Sequence, residues 1–553
     1  MMTSRSIAAC TCLTAAFVLV ACDGDPETDA GRLDGTDAGM DSGEAMMDAG
    51  PPPLDCTLTA GDDLWTPPAE LPAFGPSERG RVVRCGAGEP LDAATVDARA
   101  RMPFALTGDE PGTYDGPELT EGTTTTLVLY RSERRNGDPG FSSGTLYLPT
   151  SGGTDLPLIV HVSGTTGLGD DCAPSRGRFT DLERALYVLI GTGHAVFVPD
   201  LIGLGTPGTL SYLEAAEAAH ATLDGARAAL SVAPDGVLSG EVLISGHSAG
   251  GHAALVSQAL QRDYAPDLNL LGVSAVAGVW FDTAVFGELL TVPSYSTAGD
   301  DGWNVVYGAM YFVGHVAAYE GEANAYAPIH PDRRDAIRDV FENHCIVPAM
   351  AGEQDMREAL QPIAANVGEL FDPSFYNPFT QRVWCDAGVM DRCPPLVATW
   401  IERFANDRPA LDPEGAPIWF HQGGADARST VDSMRCPIAE ADYTGVDTNV
   451  CFYDGMEHGP LAGASAPWIA SWIDAMASGA AAPDCLDATP WPAATPAACG
   501  LEAPMDGGVP PTDAGPPDAG PPATDAGTDA GTDAGTDAST DAGVPTDAGT
   551  DAG

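Results

Sequence analysis

Apolar residues in this chain come in short runs broken by glycine, proline and aspartate, and the spacing of those runs sets the expected elements. Eight runs rich in β-branched and aromatic residues read as strands, at 123–130, 145–148, 156–162, 195–198, 242–245, 271–279, 418–421 and 449–453. Between the later runs the period lengthens, and 179–190, 211–230 and 251–262 carry apolar or alanine-rich positions at helical spacing. Strand alternating with helix predicts an α/β fold built on a doubly wound, mostly parallel sheet. After 271–279 the alternation stops for about 135 residues, far more than a connection requires. Helical patterns at 307–320, 331–344 and 394–404 fall in that interval, so a helical cap is expected at about 283–412, inserted over the carboxyl edge of the sheet.

One junction stands out chemically. The strand at 242–245 breaks into Gly246-His247-Ser248-Ala249-Gly250 and restarts as a helix. A serine at the tip of such a turn is presented as a nucleophile, provided its neighbours are small enough to let the turn close, and Gly246 and Gly250 supply that room. Gly140-Phe141-Ser142-Ser143-Gly144 has the same spacing, but it follows a turn and leads into a strand, so context selects Ser248.

A hydroxyl needs a general base, and the base needs an orienting carboxylate. In hydrolases built on such a sheet the chain order is serine, acid after a late strand, histidine after the last strand. Asp426 follows the run at 418–421 and His458 follows the run at 449–453, which gives a Ser248, Asp426, His458 triad. Asp282, just past the 271–279 run, is the rival acid, while Asp432 and Asp454 read as helix-surface and turn residues. His252, His315, His330, His344 and His421 read as structural or solvated. The glycine-rich loop after 156–162 is expected beside Ser248, with the N–H of Thr165 and that of Ala249 as oxyanion donors and Gly164 and Thr166 as alternatives for the former.

The ends of the chain differ from its middle. Residues 1–22 have a short basic start, an apolar run too short to span a bilayer, and Leu19-Val20-Ala21-Cys22, which resembles a bacterial lipobox with Cys22 as the lipidated residue. Residues 23–55 are an Asp/Ala/Gly/Pro linker, and 501–553 repeat Thr-Asp-Ala-Gly with almost nothing to bury, so both are expected to be disordered around a catalytic domain at 56–500. The net charge of -54 sits mostly on that domain and disfavours nucleic acid and anionic lipid as partners. All 25 basic residues are arginine, which excludes a Schiff base, a phosphate-loop lysine and a Ser-Lys dyad.

Leaving out Cys10, Cys12 and Cys22, ten of the 13 cysteines remain, an even set that suits five disulfides in an oxidising compartment. Short loops oxidise readily, which pairs Cys436 with Cys451, Cys385 with Cys393, Cys485 with Cys499 and Cys56 with Cys85, leaving Cys172 for Cys345.

Ser163 to Ser175 (SGTTGLGDDCAPS), Phe197 to Gly205 (FVPDLIGLG), Gly246 to Ala253 (GHSAGGHA) and the Asp426 and His458 loops together resemble the secretory lipase family of α/β-hydrolases, over roughly residues 100 to 475. Ser163 stands where that family often has a histidine. The resemblance implies a lipase or esterase with a helical cap, the Ser248, Asp426, His458 triad and no cofactor; a small-molecule or lipid ester is the expected substrate, the segment at 1–22 predicts export, and the chain is expected to be a monomer. A serine peptidase of the same fold and a non-catalytic envelope binding module are the other readings.

Overall fold

The protein was analysed as a computed structural model, which describes residues 54–102, 114–177, 184–281, 285–299, 301–347, 353–485 and 489–501. Residues 1–53, which include Cys22 and nearly all of the linker, Asp282, and the repeat tail beyond residue 501 lie outside the described residues. All eight expected strands form, joined by one more at the amino-terminal edge: β1 (Val82–Ala87), β2 (Thr123–Glu133), β3 (Pro139–Pro149), β4 (Leu156–Val162), β5 (Ala195–Pro199), β6 (Leu238–His247), β7 (Asn269–Val276), β8 (Ile418–Gly423) and β9 (Thr448–Tyr453). They make a single sheet in the order β1-β2-β3-β5-β4-β6-β7-β8-β9. From β5 to β9 the neighbours are parallel, and β1, β2 and β3 extend the sheet antiparallel.

The parallel strands are apolar nearly throughout because helices cover both faces. Ile159, Val196 and Leu243 point to one face, against Leu186, Leu189, Trp468 and Trp472 of the helices Arg184–Gly191 and His458–Ser478. Leu158, Val160, Phe197 and Ile244 point to the other, against Leu223, Ala226, Ala254 and Leu255 of the helices Ala215–Val232 and Ala249–Tyr264. The interval between β7 and β8 is helical, led by Asp301–Glu320, Arg334–Asn343 and Pro395–Asn406. It has its own aromatic core, in which Phe312 meets Trp400, Phe371 and Phe375 edge-on.

Cys56–Cys85, Cys172–Cys345 and Cys385–Cys393 form as expected. The other two pairs are exchanged: Cys436 bonds Cys499, and Cys451 bonds Cys485. The expected pairing of Cys436 with Cys451 and Cys485 with Cys499 fails because the sheet stands between the first two. Cys451 lies in β9 within the cluster around Trp468, where Cys485 also packs. Cys436 lies on Val431–Thr444, whose Met434 and Ile438 cover the opposite face, and the short turn Pro496–Cys499 returns to that helix.

Among the described residues, three buried carboxyl groups on or beside the sheet are held well above the ordinary carboxylate range. Burial pushes Asp200 up to about 6 against hydrogen bonds from Ser143 and Ser175, and pushes Asp224 up to about 6 against those from Ser132, Tyr264 and Arg227. Glu214 rises to about 7 through burial and the charges of Asp407 and Glu217. A carboxyl group raised in the folded state favours folding while it is protonated. That contribution is whole below the unfolded value of about 4 and is lost as pH climbs through about 6 for Asp200 and Asp224 and about 7 for Glu214. Discharging part of the net charge of -54 acts in the same direction. The thermal midpoint is therefore expected to be higher near pH 5.5 than near pH 8, and a midpoint that climbs across that interval would contradict this account.

Candidate active site

β6 ends at His247 and the helix Ala249–Tyr264 begins two residues later, so the whole reversal falls on Ser248. Its backbone has φ 56° and ψ -118°, a conformation that costs a non-glycine residue about 1–3 kcal/mol and that the surroundings must enforce. The Ser248 N–H donates to the Val276 carbonyl at 2.9 Å, pinning the turn to β7. The glycines are required by contact. A Cβ on Gly246 would lie 2.1 Å from the Gly250 oxygen, and one on Gly250 would lie 2.0 Å from the Val162 oxygen at the end of β4. Gly140 to Gly144, by contrast, lies inside β3, where the Ser143 hydroxyl donates to Asp200 at 2.5 Å.

Asp426 arrives on the loop that follows β8, and His458, expected on a loop, opens the helix His458–Ser478 after the turn that follows β9. His458 Nδ1 lies 2.8 Å from Asp426 Oδ2, and the Asp426 side chain is wholly buried. Asp426 Oδ1 accepts the Arg428 and Ser429 N–H groups at 2.8 and 2.9 Å, which fixes the carboxylate's orientation. The His458 carbonyl accepts from the His247 ring at 2.9 Å, so the residue before the serine holds the residue that would serve as its base. Ser248 and His458 line one cavity of about 820 Å³, roofed by Phe286, Leu289 and Phe379 of the cap. That volume suits a small ligand.

The loop after β4 comes to the serine as expected. A Cβ on Gly164 would lie 3.8 Å from the Ser248 Cβ. The Thr165 hydroxyl is 2.6 Å from the Tyr212 hydroxyl, and the two residues line the cavity beside Ser248. Neither the Thr165 nor the Ala249 N–H has an acceptor among the described residues. The loop is held to the cap by the Cys172–Cys345 bridge and by the Ile346 N–H, which donates to the Thr166 carbonyl at 2.9 Å.

The rejected histidines and acids fall elsewhere. His252 is buried against the Asp407 carbonyl at 2.8 Å, and His315 against the Asp407 carboxylate. His421 contacts the Tyr453 hydroxyl at 3.0 Å, and burial depresses its ring to about 3. Asp432 is a surface residue. Three contributors escaped the sequence reading. Asp200, quoted only as part of FVPDLIGLG, accepts both the Ser143 hydroxyl and the Ser175 N–H at 2.8 Å, and so steadies the CAPS segment. Tyr212 and Arg428 reach the cavity with no local pattern to announce them. Among the described residues no group of His, Cys, Asp and Glu could hold a metal ion.

Residues 177–288, which contain Ser248, match the family model of the secretory lipases. A protein of Mycobacterium tuberculosis named as a probable inactive lipase is 28% identical over 171 residues, which cover 28% of this chain and 36% of that protein. Among solved structures, the rice cell wall degrading esterase LipA of Xanthomonas oryzae superposes with a TM-score of 0.53 at 18% identity, over 72% of this chain and 97% of that one. Candida antarctica lipase A in its closed state gives 0.52 at 16%, over 79% and 90%. At those identities the structures speak for the fold. The fold is therefore that of the α/β-hydrolases, and the segment around Ser248 is similar to the secretory lipases.

Proposed function

We propose that this protein is an active serine carboxylic-ester hydrolase that works through an acyl-enzyme. The observation that carries the reading is the 2.8 Å contact between His458 Nδ1 and a buried Asp426 carboxylate, with Ser248 on the wall of the same cavity. Asp426 accepts a hydrogen bond from the Nδ1–H of His458, which leaves Nε2 as the basic nitrogen to take the proton from Ser248 as its Oγ attacks the ester carbonyl. The carbonyl oxygen becomes an oxyanion beside Thr165 and Ala249, whose N–H groups are the expected donors. His458 then returns the proton to the leaving alcohol, and water repeats the sequence in reverse to release the acid. Because one relative is named as inactive, the fold match alone does not carry activity, and the reading rests on the His458–Asp426 contact beside Ser248.

Five disulfides support an oxidising location, and the sequence around Cys22 supports export with a lipid anchor on a monomeric chain. A fluorophosphonate probe applied to fractionated cells tests both parts. Labelling of Ser248 is expected in the membrane fraction and is expected to vanish in Ser248→Ala. An unlabelled wild type would exclude the mechanism, and label found wholly in the soluble fraction would exclude the anchor.

A further inference from the structure

Four charged side chains line the cavity that holds Ser248 and His458: Glu288, Arg382, Asp386 and Arg428. Three of them satisfy one another. Arg382 donates to Asp386 at 2.9 Å and to Glu288 at 3.2 Å, and the two carboxylates are largely solvated. Arg428 is different. Among the described residues it has no carboxylate within ion-pair distance, as is also true of Arg334 and Arg392, but of the two arginines that line the cavity it is the uncompensated one. The contrast matters in a chain with 79 acidic residues and 25 arginines, where a basic side chain has acidic partners within easy reach.

The position of Arg428 is fixed by the site itself. Its N–H is bound to Asp426, two residues away, so the side chain emerges at the mouth of the triad loop. Its guanidinium lies 5.8 Å from the ring centroid of Tyr307, and its charge opposes the rise that burial imposes on the hydroxyls of both Tyr212 and Tyr307. Tyr212 in turn contacts Thr165 of the expected oxyanion loop, so the unpaired charge faces the reacting end of the cavity. Tyr307 and Asn304, one turn apart on the helix Asp301–Glu320, face the same space, and neither polar side chain has a hydrogen-bond partner among the described residues. A half-buried guanidinium, which can only donate, stands beside a phenol and an amide that no described group engages, so donors from three side chains converge on one space. A carboxylate supplies what is missing, because it takes two parallel N–H bonds from a guanidinium and has lone pairs left for the phenol.

We infer that Arg428, with Tyr307 and Asn304, binds an anionic group of the substrate, so that the preferred ester carries a carboxylate a few atoms from the scissile bond. This rests on the hydrolase reading and adds a substrate class to it. The surface of the chain repels anions at long range, so the selection is local to the cavity.

The test uses two pairs of esters that differ only in whether the chain ends in carboxylate or methyl: monomethyl adipate against methyl hexanoate, with the charge on the acyl side, and 6-acetoxyhexanoate against hexyl acetate, with the charge on the alcohol side. Acid release followed by titration gives kcat/KM for each. In the wild type the charged member of at least one pair is expected to lead by about tenfold or more, the worth of a charge-assisted hydrogen bond. The pair that responds identifies the side. Arg428→Gln is expected to abolish that ratio, and Arg428→Lys to keep part of it. A wild type without preference, or a preference that survives in Arg428→Gln, would overturn the inference. If no ester of either kind is hydrolysed, the hydrolase reading fails separately, and calorimetric binding of adipate to Ser248→Ala decides the site: binding lost in Arg428→Gln supports it, and no binding to Ser248→Ala overturns it.

Discussion

Ser248→Ala and His458→Ala are each expected to lower kcat by on the order of 10⁴ to 10⁶ on any ester the protein hydrolyses, with the fold intact, and the double variant is expected to be no worse than either alone. The non-additivity follows from the mechanism: without the base the hydroxyl is not activated, and without the hydroxyl the base has nothing to activate. Asp426→Asn is the sharper probe. Asp426 Oδ1 accepts two N–H groups at 2.8 and 2.9 Å, so an asparagine keeps its oxygen there and turns its amide N–H2 toward His458. The ring must then face that amide with a bare Nδ1 and carry its proton on Nε2, where it can no longer accept one from Ser248. A loss on the order of 10⁴ in kcat is expected, with little change in stability. Losses that add would break the partnership of Ser248 and His458, and an Asp426→Asn enzyme close to wild type would remove Asp426 from the triad and return the acid to Asp282.

Asp407→Ala is expected to cost about 3–5 kcal/mol of stability, read as a drop in the midpoint of chemical denaturation. Asp407 follows the cap helix Pro395–Asn406 and is fully buried. Its Oδ2 accepts the Tyr311 hydroxyl and His315 Nε2, the latter at 2.8 Å, and its Oδ1 accepts the Ala215 N–H at 3.2 Å. Its own carbonyl is 2.8 Å from His252 Nε2 on the helix behind Ser248. Truncation strands three donors where no water reaches them, and each stranded donor costs about 1–3 kcal/mol. Asp407→Asn keeps the shape and one acceptor, and is expected to lose less. A change below about 1 kcal/mol for alanine would mean that the cap does not depend on this residue.

What the sequence revealed and what it hid divide along one physical line. The parallel strands and the elbow were legible because burial on both faces and a strained turn each leave a local pattern: a continuous apolar run in β5, and two glycines around Ser248. β1 was missed because it is an edge strand, only half-buried, with Arg84 and a glycine interrupting its run. The triad loops could be placed because the order of strands dictates where they emerge. The exchanged disulfides could not, since loop length says nothing of which face of a sheet a cysteine occupies, and Cys436 and Cys451 lie on different faces. The Asp407 cluster was equally hidden: Glu214, His252, His315 and Asp407 are far apart in the chain, and each alone reads as an ordinary surface or helix residue. Arg428 escaped notice altogether, because nothing local marks a charge as unpaired and pairing is a property of space.

The cap leaves the sheet after β7 and rejoins it before β8, and a body joined to its base by two strands of chain can swing about the line between them. The Cys172–Cys345 bridge adds a third attachment, on the loop beside Ser248. In mechanical terms a third fastening opposes rotation about that line, because the cap then carries the loop beside Ser248 with it when it moves. Reduction of this bridge is therefore expected to widen the range of ester sizes that the cavity admits, and a size range unchanged by reduction would mean that the bridge does not restrain the cap.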